Sequence, residues 1–284
     1  MDKKFSFVIL ALLAMVISAC DNDNDSPSNG KDTLPPIQSF VWPEAESSPK
    51  QLEGLNRFVY DSEGRVTLYE TLVQKTTYTY DGLKCTGVMT SIPSGEKLQD
   101  QYIVFNKDGR PVSEESTDWE NNASADMKYE YDSEGRIISY DFNVSDGRYR
   151  RSEFKYDSST GLISEAIVDY PPIKGSTRRF KIKYRFCYSD KPNPVAFYPE
   201  CHQIFDAEPA LAFTGIDGYQ RNRLIDKIYV NSIDVDADLE VFAYSYEFSA
   251  EGKLTAIIET VSLLDAEGEV MSSAAPIKIT DIKY

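Results

Sequence analysis

Aromatic and polar residues alternate along much of the chain at a period of two, the pattern of β-strands with one buried and one exposed face. Tyr129 and Tyr131 fall on one face of such a strand, whereas Lys128 and Glu130 fall on the other. The same pair spacing recurs at Phe58/Tyr60, Tyr78/Tyr80, Phe154/Tyr156 and Tyr246/Phe248. No long amphipathic helical pattern stands out, and the sequence therefore predicts an all-β protein.

The aromatic pairs lead into a short polar segment that contains glycine and recurs along the chain. Tyr60–Val66 and Tyr131–Ile137 are almost identical copies, with degenerate copies at Phe105–Arg110, Tyr156–Leu162 and Phe248–Leu254 and a truncated one at Tyr80–Gly82. The aspartate of such a segment accepts a hydrogen bond from the backbone N–H two residues on. The glycine takes the left-handed conformation that closes a type I turn with a bulge. The repeat therefore predicts β-hairpins in which the aspartates have a structural role.

The spacing of the turns sets the size of the hairpins. Gly109, Gly135 and Gly161 lie 26 residues apart, which leaves room for two strands of about ten residues and two turns. The frame of aromatic residues, Asp, Gly, Arg and a hydrophobic residue resembles the YD repeat of large bacterial surface and toxin-shell proteins, which spool long β-hairpins. We expect a long antiparallel β-hairpin meander that forms a large curved, open or partly closed sheet.

The N-terminus carries an export signal. Two lysines precede an apolar run, Phe5–Ile17, that is too short for a comfortable transmembrane helix. The run leads into Ile-Ser-Ala-Cys, which has the form of a bacterial lipobox. It predicts that residues 1–19 are a lipoprotein signal peptide, and that Cys20 receives diacylglycerol and palmitate, which suffice for stable anchoring. The alternative is a plain cleaved signal followed by an incidental cysteine.

Residues 20–50 are predicted to be a lipidated, acidic, disordered tether, because they are rich in Ser, Pro, Asn and acidic residues. The acidic tract Asp21–Asp25 resembles the signal for display of lipoproteins on the outer face of the outer membrane in Bacteroides-like bacteria. In enterobacteria, Asp directly after the cysteine would instead indicate retention at the inner membrane. Asp32-Thr33-Leu34 resembles the O-glycosylation site of Bacteroides-like bacteria, which makes Thr33 a candidate for this modification. We expect Phe40–Trp42 to dock on the domain as a first edge strand.

The remaining residues, 51–284, are predicted to form a single β-hairpin repeat domain with an irregular insertion around 189–222, where prolines interrupt the alternation. This insertion leads into an Asn-x-Leu-x-x-Lys-Ile strand at 222–228. In both respects the chain resembles a porin-like domain of unknown function that occurs in Bacteroides-type surface lipoproteins. The resemblance implies a porin-like sheet and identifies no catalytic residues.

Charge narrows the choice of partners. The chain has a formal net charge of −16, and loss of residues 1–19 removes two basic residues and one acidic residue, which leaves −17. An acidic surface argues against nucleic acid and against anionic lipid headgroups as partners. The partners we expect are the lipid anchor in the outer membrane and a glycan or an outer-membrane protein.

Few residues in the sequence are candidates for a chemical site. An exported chain can keep disulfides, and a bridge between Cys187 and Cys201 would close the irregular insertion, which leaves Cys85 as a buried thiol. His202 is the only histidine, so a zinc site lacks a second histidine. The carboxylates of Asp234–Glu240 begin like a calcium loop but lack its glycine and final glutamate, and an acidic hairpin turn is the simpler interpretation. We predict no metal site, no cofactor and no catalytic residue.

Three functions remain open. The leading hypothesis is a non-catalytic binding or accessory module at the cell surface, with a glycan as ligand, because the many tyrosines could stack on sugars. The second is a structural component of an outer-membrane assembly. The third is a glycoside hydrolase with paired carboxylates, which would need two acids in an aromatic-lined cleft.

Overall fold

Consecutive β-strands joined by turns make up the part of the chain that the computed structural model describes, which is residues 39–42, 54–118, 122–170, 172, 179–193, 223–233, 239–265 and 267–283. Within these ranges the strands form one sheet. They are β1 (Ser39–Trp42), β2 (Gly54–Tyr60), β3 (Val66–Glu70), β4 (Gln74–Asp81), β5 (Lys84–Ser91), β6 (Lys97–Phe105), β7 (Pro111–Asp118), β8 (Ala123–Tyr131), β9 (Ile137–Val144), β10 (Tyr149–Tyr156), β11 (Ile163–Tyr170), β12 (Phe180–Pro192), β13 (Arg223–Ser232), β14 (Leu239–Phe248), β15 (Leu254–Leu264), β16 (Val270–Ser273) and β17 (Ile277–Lys283). No helix among the described residues has the length and apolar character that crossing a membrane requires.

The sheet is an antiparallel meander. From β2 to β15 each strand pairs with the next along the chain. β15 then pairs with β16 at one end and with β17 at the other. β17 also pairs with β1, and β1 pairs with β2. The all-β meander predicted from the repeat is confirmed.

The strand β1 agrees with its prediction in one respect and differs in another. Ser39–Trp42 forms a strand, as expected for Phe40–Trp42, although it lies within the range otherwise predicted as a tether. It was expected at an edge, whereas it has hydrogen-bonded neighbours on both sides, β2 and β17. The run Phe-Val-Trp favours this outcome, because aromatic and β-branched residues are good strand formers.

Turns alternate between two ends of the sheet, because successive strands run in opposite directions. The repeat end carries the turns of the recurring motif, which are 61–65, 106–110, 132–136, 157–162 and 249–253. The opposite end carries the turns 71–74, 91–96, 144–148 and 265–269.

The repeat turns have the predicted geometry. The Asp132 carboxylate accepts hydrogen bonds from the backbone N–H of Glu134 at 3.0 Å and of Arg136 at 2.8 Å. Gly135 has a φ of 76°, and the pairing register shifts by one residue beside the turn, between Glu130 and Tyr131. The turn that begins at Asp61 repeats these contacts at 2.9 Å each. The five-residue turns of the motif are therefore type I turns closed by a bulge, in which Asp61 and Asp132 are structural. The turn 157–162 is one residue longer, and its Gly161 N–H donates to the carbonyl of Asp157.

Tyrosine hydroxyls join several hairpins of the sheet to the strand that precedes them. The Tyr156 hydroxyl donates to the backbone carbonyl of Ile137, the first residue of β9, at 2.7 Å. The Arg136 guanidinium lies over the same tyrosine ring, 4.8 Å from its centroid. Equivalent hydroxyl-to-carbonyl bonds connect Tyr80 to Val66, Tyr131 to Pro111, Tyr188 to Ile163 and Tyr246 to Ile225. We call these five bonds the tyrosine staples.

The core lies on one face of the sheet, here called the core face, and is most completely buried toward the repeat end. The residues that open the return strands after the repeat turns have almost no exposed surface, as Val66, Ile137, Ile163 and Leu254 illustrate. Aromatic side chains of the repeat pack around them, and each fully buried side chain of this size contributes about 1.5–3 kcal/mol.

Candidate functional site

Side chains on the core face become more exposed toward the opposite end. On β10, Phe154 and Ser152 are buried, and the next residue on that face, Arg150, is half-buried. On β9 the change comes between Tyr140, which has 0% exposed surface, and Phe142, which is half-buried. The core face therefore has a buried floor that ends in a row of side chains within reach of solvent.

Arg150 lies in the middle of this row. The register places Phe142 of β9 directly beside it, and on the far side Tyr170 of β11 faces Phe180 of β12. The guanidinium carbon of Arg150 is 5.7 Å from the ring centroid of Phe142 and 5.9 Å from that of Tyr170. We call this group the Arg150 cluster; its members are Tyr140, Phe142, Arg150, Tyr170, Phe180 and Tyr184.

Aromatic stacking and hydroxyl contacts hold the cluster in place. The rings of Tyr170 and Phe180 stack with centroids 5.1 Å apart and an interplanar angle of 11°. The hydroxyls of Tyr170 and Tyr184 are 3.3 Å apart. The Tyr140 ring lies beneath the arginine, 6.0 Å from its guanidinium carbon, and the Tyr140 hydroxyl is 3.4 Å from an Arg150 nitrogen.

Burial shifts the pKa values of two tyrosines in the cluster, Tyr140 and Tyr184. It raises the pKa of Tyr140 above its ordinary value, although the positive charge of Arg150 acts in the opposite direction. Burial also raises the pKa of Tyr184, and the neighbouring Tyr170 hydroxyl adds to the effect. Both hydroxyls therefore stay protonated at neutral pH and can serve as hydrogen-bond donors.

The neighbouring arginine, Arg151, shows what the same residue type does on the other face. Its guanidinium lies 2.9 Å from Asp141 and 2.9 Å from Glu153. A hydrogen bond to Glu153 raises its pKa above the ordinary arginine value despite the opposing effect of burial. Arg151 is thus an ion-pairing residue on the solvent face. The Arg150 guanidinium, on the core face, lies near the rings of Phe142 and Tyr170.

Two carboxylates form a second polar group on the core face, far along the meander from Arg150. Burial raises the pKa of Glu240 on β14, and the nearby charge of Glu259 on β15 raises it further. Burial likewise raises the pKa of Glu259, although a hydrogen bond with Tyr244 lowers it in part. A carboxyl group of this kind can hold a proton nearer to neutral pH than an exposed one.

Comparison with solved structures identifies the architecture. A porin-like protein from Bacteroides uniformis superimposes with a TM-score of 0.62 at 15% sequence identity, over 88% of this chain and 99% of that one. A porin-like protein from Bacteroides vulgatus gives a TM-score of 0.56 at 14% identity, over 87% and 98% of the two chains. The chain has a porin-like fold. No protein-family model matches the sequence, and no curated protein does either.

Several residues singled out in the sequence lie outside the described part of the porin-like fold. These are the lipidation site Cys20, the glycosylation candidate Thr33, His202, the carboxylates at 234–238 and most of the insertion around 189–222. The signal peptide at 1–19 and most of the tether lie outside it as well. Within the described ranges, no three His, Cys, Asp or Glu side chains are grouped closely enough to bind a metal ion.

The structure describes Cys85 and Cys187, two of the three cysteines that follow Cys20. Cys187 is half-buried in β12, opposite Lys227 of β13 and beside a shift in the pairing register. Its proposed partner, Cys201, lies outside the described residues, so the bridge stays a prediction. Cys85 is buried in the core, as predicted, and its thiol contacts the Tyr80 hydroxyl.

The tyrosines do not have the role expected from their number. Every tyrosine whose burial the structure describes is buried or half-buried, and the repeat tyrosines are held in the core and in the tyrosine staples. The repeat tyrosines are therefore not an exposed stacking surface. The alternation places the aromatic side chains of a strand on one face of the sheet, and that face packs to form the core.

The Arg150 cluster was not predicted from the sequence, although the sequence contains the signal for it. Phe154 and Tyr156 mark the core face of β10, and counting back by twos reaches Ser152 and then Arg150. A charged residue in phase with buried aromatic residues is uncommon, because burying a charge is unfavourable. Such a residue is a candidate for function.

Proposed function

We propose that the protein is an outer-membrane-anchored, surface-exposed lipoprotein that acts as a non-catalytic binding or accessory module, with a glycan as its ligand. The observation that carries the binding role is the Arg150 cluster, a positively charged group set among half-buried aromatic rings. Ligand sites are typically lined by aromatic side chains with a few oriented polar groups, and this cluster has that composition. The lipobox that ends at Cys20 supports the anchoring role.

The path of the chain is compatible with both roles. Ser39 opens β1 opposite Arg57, close to the repeat end, and β1 then runs toward the opposite end. A chain anchored at Cys20 would therefore enter the domain from the repeat end. The Arg150 cluster lies toward the opposite end, away from that point of entry.

Anchoring is tested by metabolic labelling with palmitate in a Bacteroides host. We expect the full-length protein to be labelled and the Cys20→Ala variant to be unlabelled. Protease added to intact cells should digest the labelled protein if it is on the outer face. Labelling of the Cys20→Ala variant, or full protection of the labelled protein in intact cells, would contradict this part of the proposal.

Binding is tested with the mature chain carrying Cys20→Ala, which removes the acylated residue, in a screen against soluble polysaccharides by affinity electrophoresis. We expect retardation by at least one polysaccharide and release of no reducing sugar from it. A folded protein that binds no polysaccharide would contradict the glycan role. Stoichiometric co-purification of an outer-membrane protein would then favour a structural component of an outer-membrane assembly.

A glycoside hydrolase is the competing function, and Glu240 and Glu259 are the observation that favours it. Raised carboxyl pKa values suit a general acid, and such enzymes work through two carboxylates. If this function is correct, the polysaccharide that binds should be cleaved, and Glu259→Gln should abolish cleavage while binding persists. Intact polysaccharide after long incubation with the wild-type protein would exclude hydrolysis of that ligand.

A further inference from the structure

We propose that the Arg150 cluster binds the carboxylate of an acidic sugar, a uronic-acid type of residue in a polysaccharide. This inference rests on the proposed function and names the ligand class and the residue that selects it. In the proposed complex, the guanidinium of Arg150 receives the sugar carboxylate, and the rings of Phe142, Tyr170 and Phe180 receive the face of the sugar.

Accessibility is the first argument. Tyr140 and Ser152 have 0% exposed surface and form the floor, whereas the members of the cluster above them are half-buried. Among the described residues, Phe142, Arg150 and Tyr170 lie closer to the opposite end than the buried core does. At the repeat end, the described residues form the tyrosine staples and the buried positions after the turns.

The local balance of charge is the second argument. The protein as a whole is acidic, with a net charge of −16. Strand β10 nevertheless carries Arg150, Arg151 and Lys155 against the single acid Glu153, and β12 is also rich in lysine and arginine. Carboxylates pair with cations on the solvent face, as in the 2.7 Å contact of Lys155 with Glu165. On the core face, the Arg150 guanidinium lies among aromatic rings.

The chemistry of the guanidinium selects the ligand group. Arginine presents a planar fork of N–H donors that matches a carboxylate, and charge-assisted bonds of this kind are stronger than neutral ones. A half-buried setting strengthens them further, because water screens the charges less. Aromatic rings on both sides of the fork can pack against the C–H groups on one side of a pyranose, and a uronic acid places such a surface next to its carboxylate.

The experiment is isothermal titration calorimetry of the mature chain carrying Cys20→Ala with three probes, namely polygalacturonate, its methyl ester and the monosaccharide galacturonate. We expect binding to polygalacturonate that weakens about tenfold or more when the carboxylates are esterified, because the charge-assisted bonds are lost. Binding of the monosaccharide would locate recognition in one residue, and binding of the polymer alone would indicate an extended site around Arg150.

Two variants test the residue. Arg150→Lys keeps the charge and removes the fork, and we expect affinity for polygalacturonate to fall about tenfold while the melting temperature changes little. Arg151→Lys, one position along the same strand but on the other face, is the matched control and should bind as the wild type does. If Arg150→Lys fails to fold, the affinities of the wild-type protein for polygalacturonate and for its methyl ester still show whether the carboxylate is recognised.

Equal binding of the acid and the ester, or wild-type affinity in Arg150→Lys, would overturn this inference and leave the proposed function in place. Binding of neutral polysaccharides alone would have the same meaning. Failure to bind any polysaccharide in the screen would overturn both the inference and the glycan role.

Discussion

The two turns that flank β15 have the same backbone geometry and opposite surroundings. Gly252 and Gly268 both adopt the left-handed conformation, with φ angles of 78° and 85°. After the turn at the repeat end, Leu254 has 0% exposed surface, whereas after the turn at the opposite end, Val270 is 62% exposed. The turn motif alone therefore does not make a core.

What the repeat end adds is contact between neighbouring hairpins. The five tyrosine staples connect neighbouring hairpins, and the aromatic pairs pack against the residues that follow the turns. Without such contacts, the turns of the opposite end leave the core face within reach of solvent. We infer that the repeated half of the sheet supplies stability, which leaves the other half free to carry recognition.

The largest loss of stability should come from truncating Leu254, the residue that follows the turn at the repeat end. Leu254→Ala should lower the free energy of unfolding by about 2–5 kcal/mol, because it leaves a cavity in the core. Val270→Ala is the matched control at the opposite end, and its effect should lie within about 0.5 kcal/mol of zero because the side chain is exposed. Urea unfolding of both variants measures this, and similar losses in the two would contradict the division of the sheet.

The turn glycines should give an intermediate effect. An alanine at Gly252 or Gly268 has space for its Cβ, since no atom apart from the chain neighbours lies within 4 Å of that position. The left-handed backbone should nevertheless destabilise the alanine by about 1–2 kcal/mol relative to glycine. We expect Gly252→Ala to lower global stability by that amount. In Gly268→Ala the strain should be relieved by local opening of the exposed strand β16, so the global loss should be smaller.

Hydrogen exchange distinguishes the two glycine variants. In Gly268→Ala, faster exchange should be confined to β16 and the end of β15 that pairs with it. In Gly252→Ala, protection should fall throughout the sheet, in step with global stability. An equal decrease in the global free energy of unfolding of the two variants would show that the opposite end is as tightly coupled to the core as the repeat end.

Removing one tyrosine staple should have a smaller effect. Tyr156→Phe keeps the ring and leaves the carbonyl of Ile137 without its 2.7 Å bond, which should lower the free energy of unfolding by about 1 kcal/mol. Tyr149→Phe is the control, since that hydroxyl bonds to Asp141 near the opposite end, where water can replace it. Chemical denaturation should rank the loss in Tyr156→Phe above that in Tyr149→Phe, and the reverse order would refute the stabilising role of the staples.

The smallest effect should be the dependence of stability on the Asp132 carboxylate. Burial opposes ionisation of Asp132, but hydrogen bonds from the backbone and the side chain of Arg136 outweigh it and hold the pKa below the ordinary value. A lowered pKa means that the carboxylate stabilises the fold at neutral pH and that this contribution is lost as the pH falls through the lowered value. Asp132→Asn keeps an acceptor and should cost no more than about 1 kcal/mol at pH 7.

The turn at Asn106 is the control for the prediction on Asp132, because asparagine occupies the equivalent position there. Asn106 accepts the same two backbone N–H bonds, each at 3.0 Å, without a charge. The stability difference between the wild type and Asp132→Asn should shrink between about pH 5 and pH 3, whereas Asn106→Asp should make stability more sensitive to pH in that range. A difference that stays constant with pH would show that the ion pair of Asp132 with Arg136 contributes nothing.

Local patterns predicted the hairpins well, because turn chemistry acts within five residues. Asp132 and Gly135 have the contacts and conformation that their types indicate. The tyrosine staples were not foreseen, since Tyr156 bonds to Ile137 across a register that only the folded sheet sets. Burial of the tyrosines, by contrast, follows from the alternation along each strand, which places them on the face that packs.

The candidate site depends even more on the folded sheet. The position of Arg150 on the core face can be read from the alternation along β10, but its neighbours come from β9 and β11, and the sequence does not place them beside it. Likewise, Glu240 and Glu259 acquire shifted pKa values only because β14 and β15 pair. Strand identity was thus predictable from the sequence, whereas contacts between strands were not.

The pairing of β1 with β17 has a consequence for the kinetics of folding. Most other pairings join strands that are neighbours in the chain, so they need only short loops to close, whereas this one brings Ser39 beside Lys283. The entropy lost in closing a loop grows with the logarithm of its length, and distant pairings form slowly. The hairpins should therefore assemble first and the pairing of β1 with β17 last, so that this pairing sets the rate at which the sheet is completed.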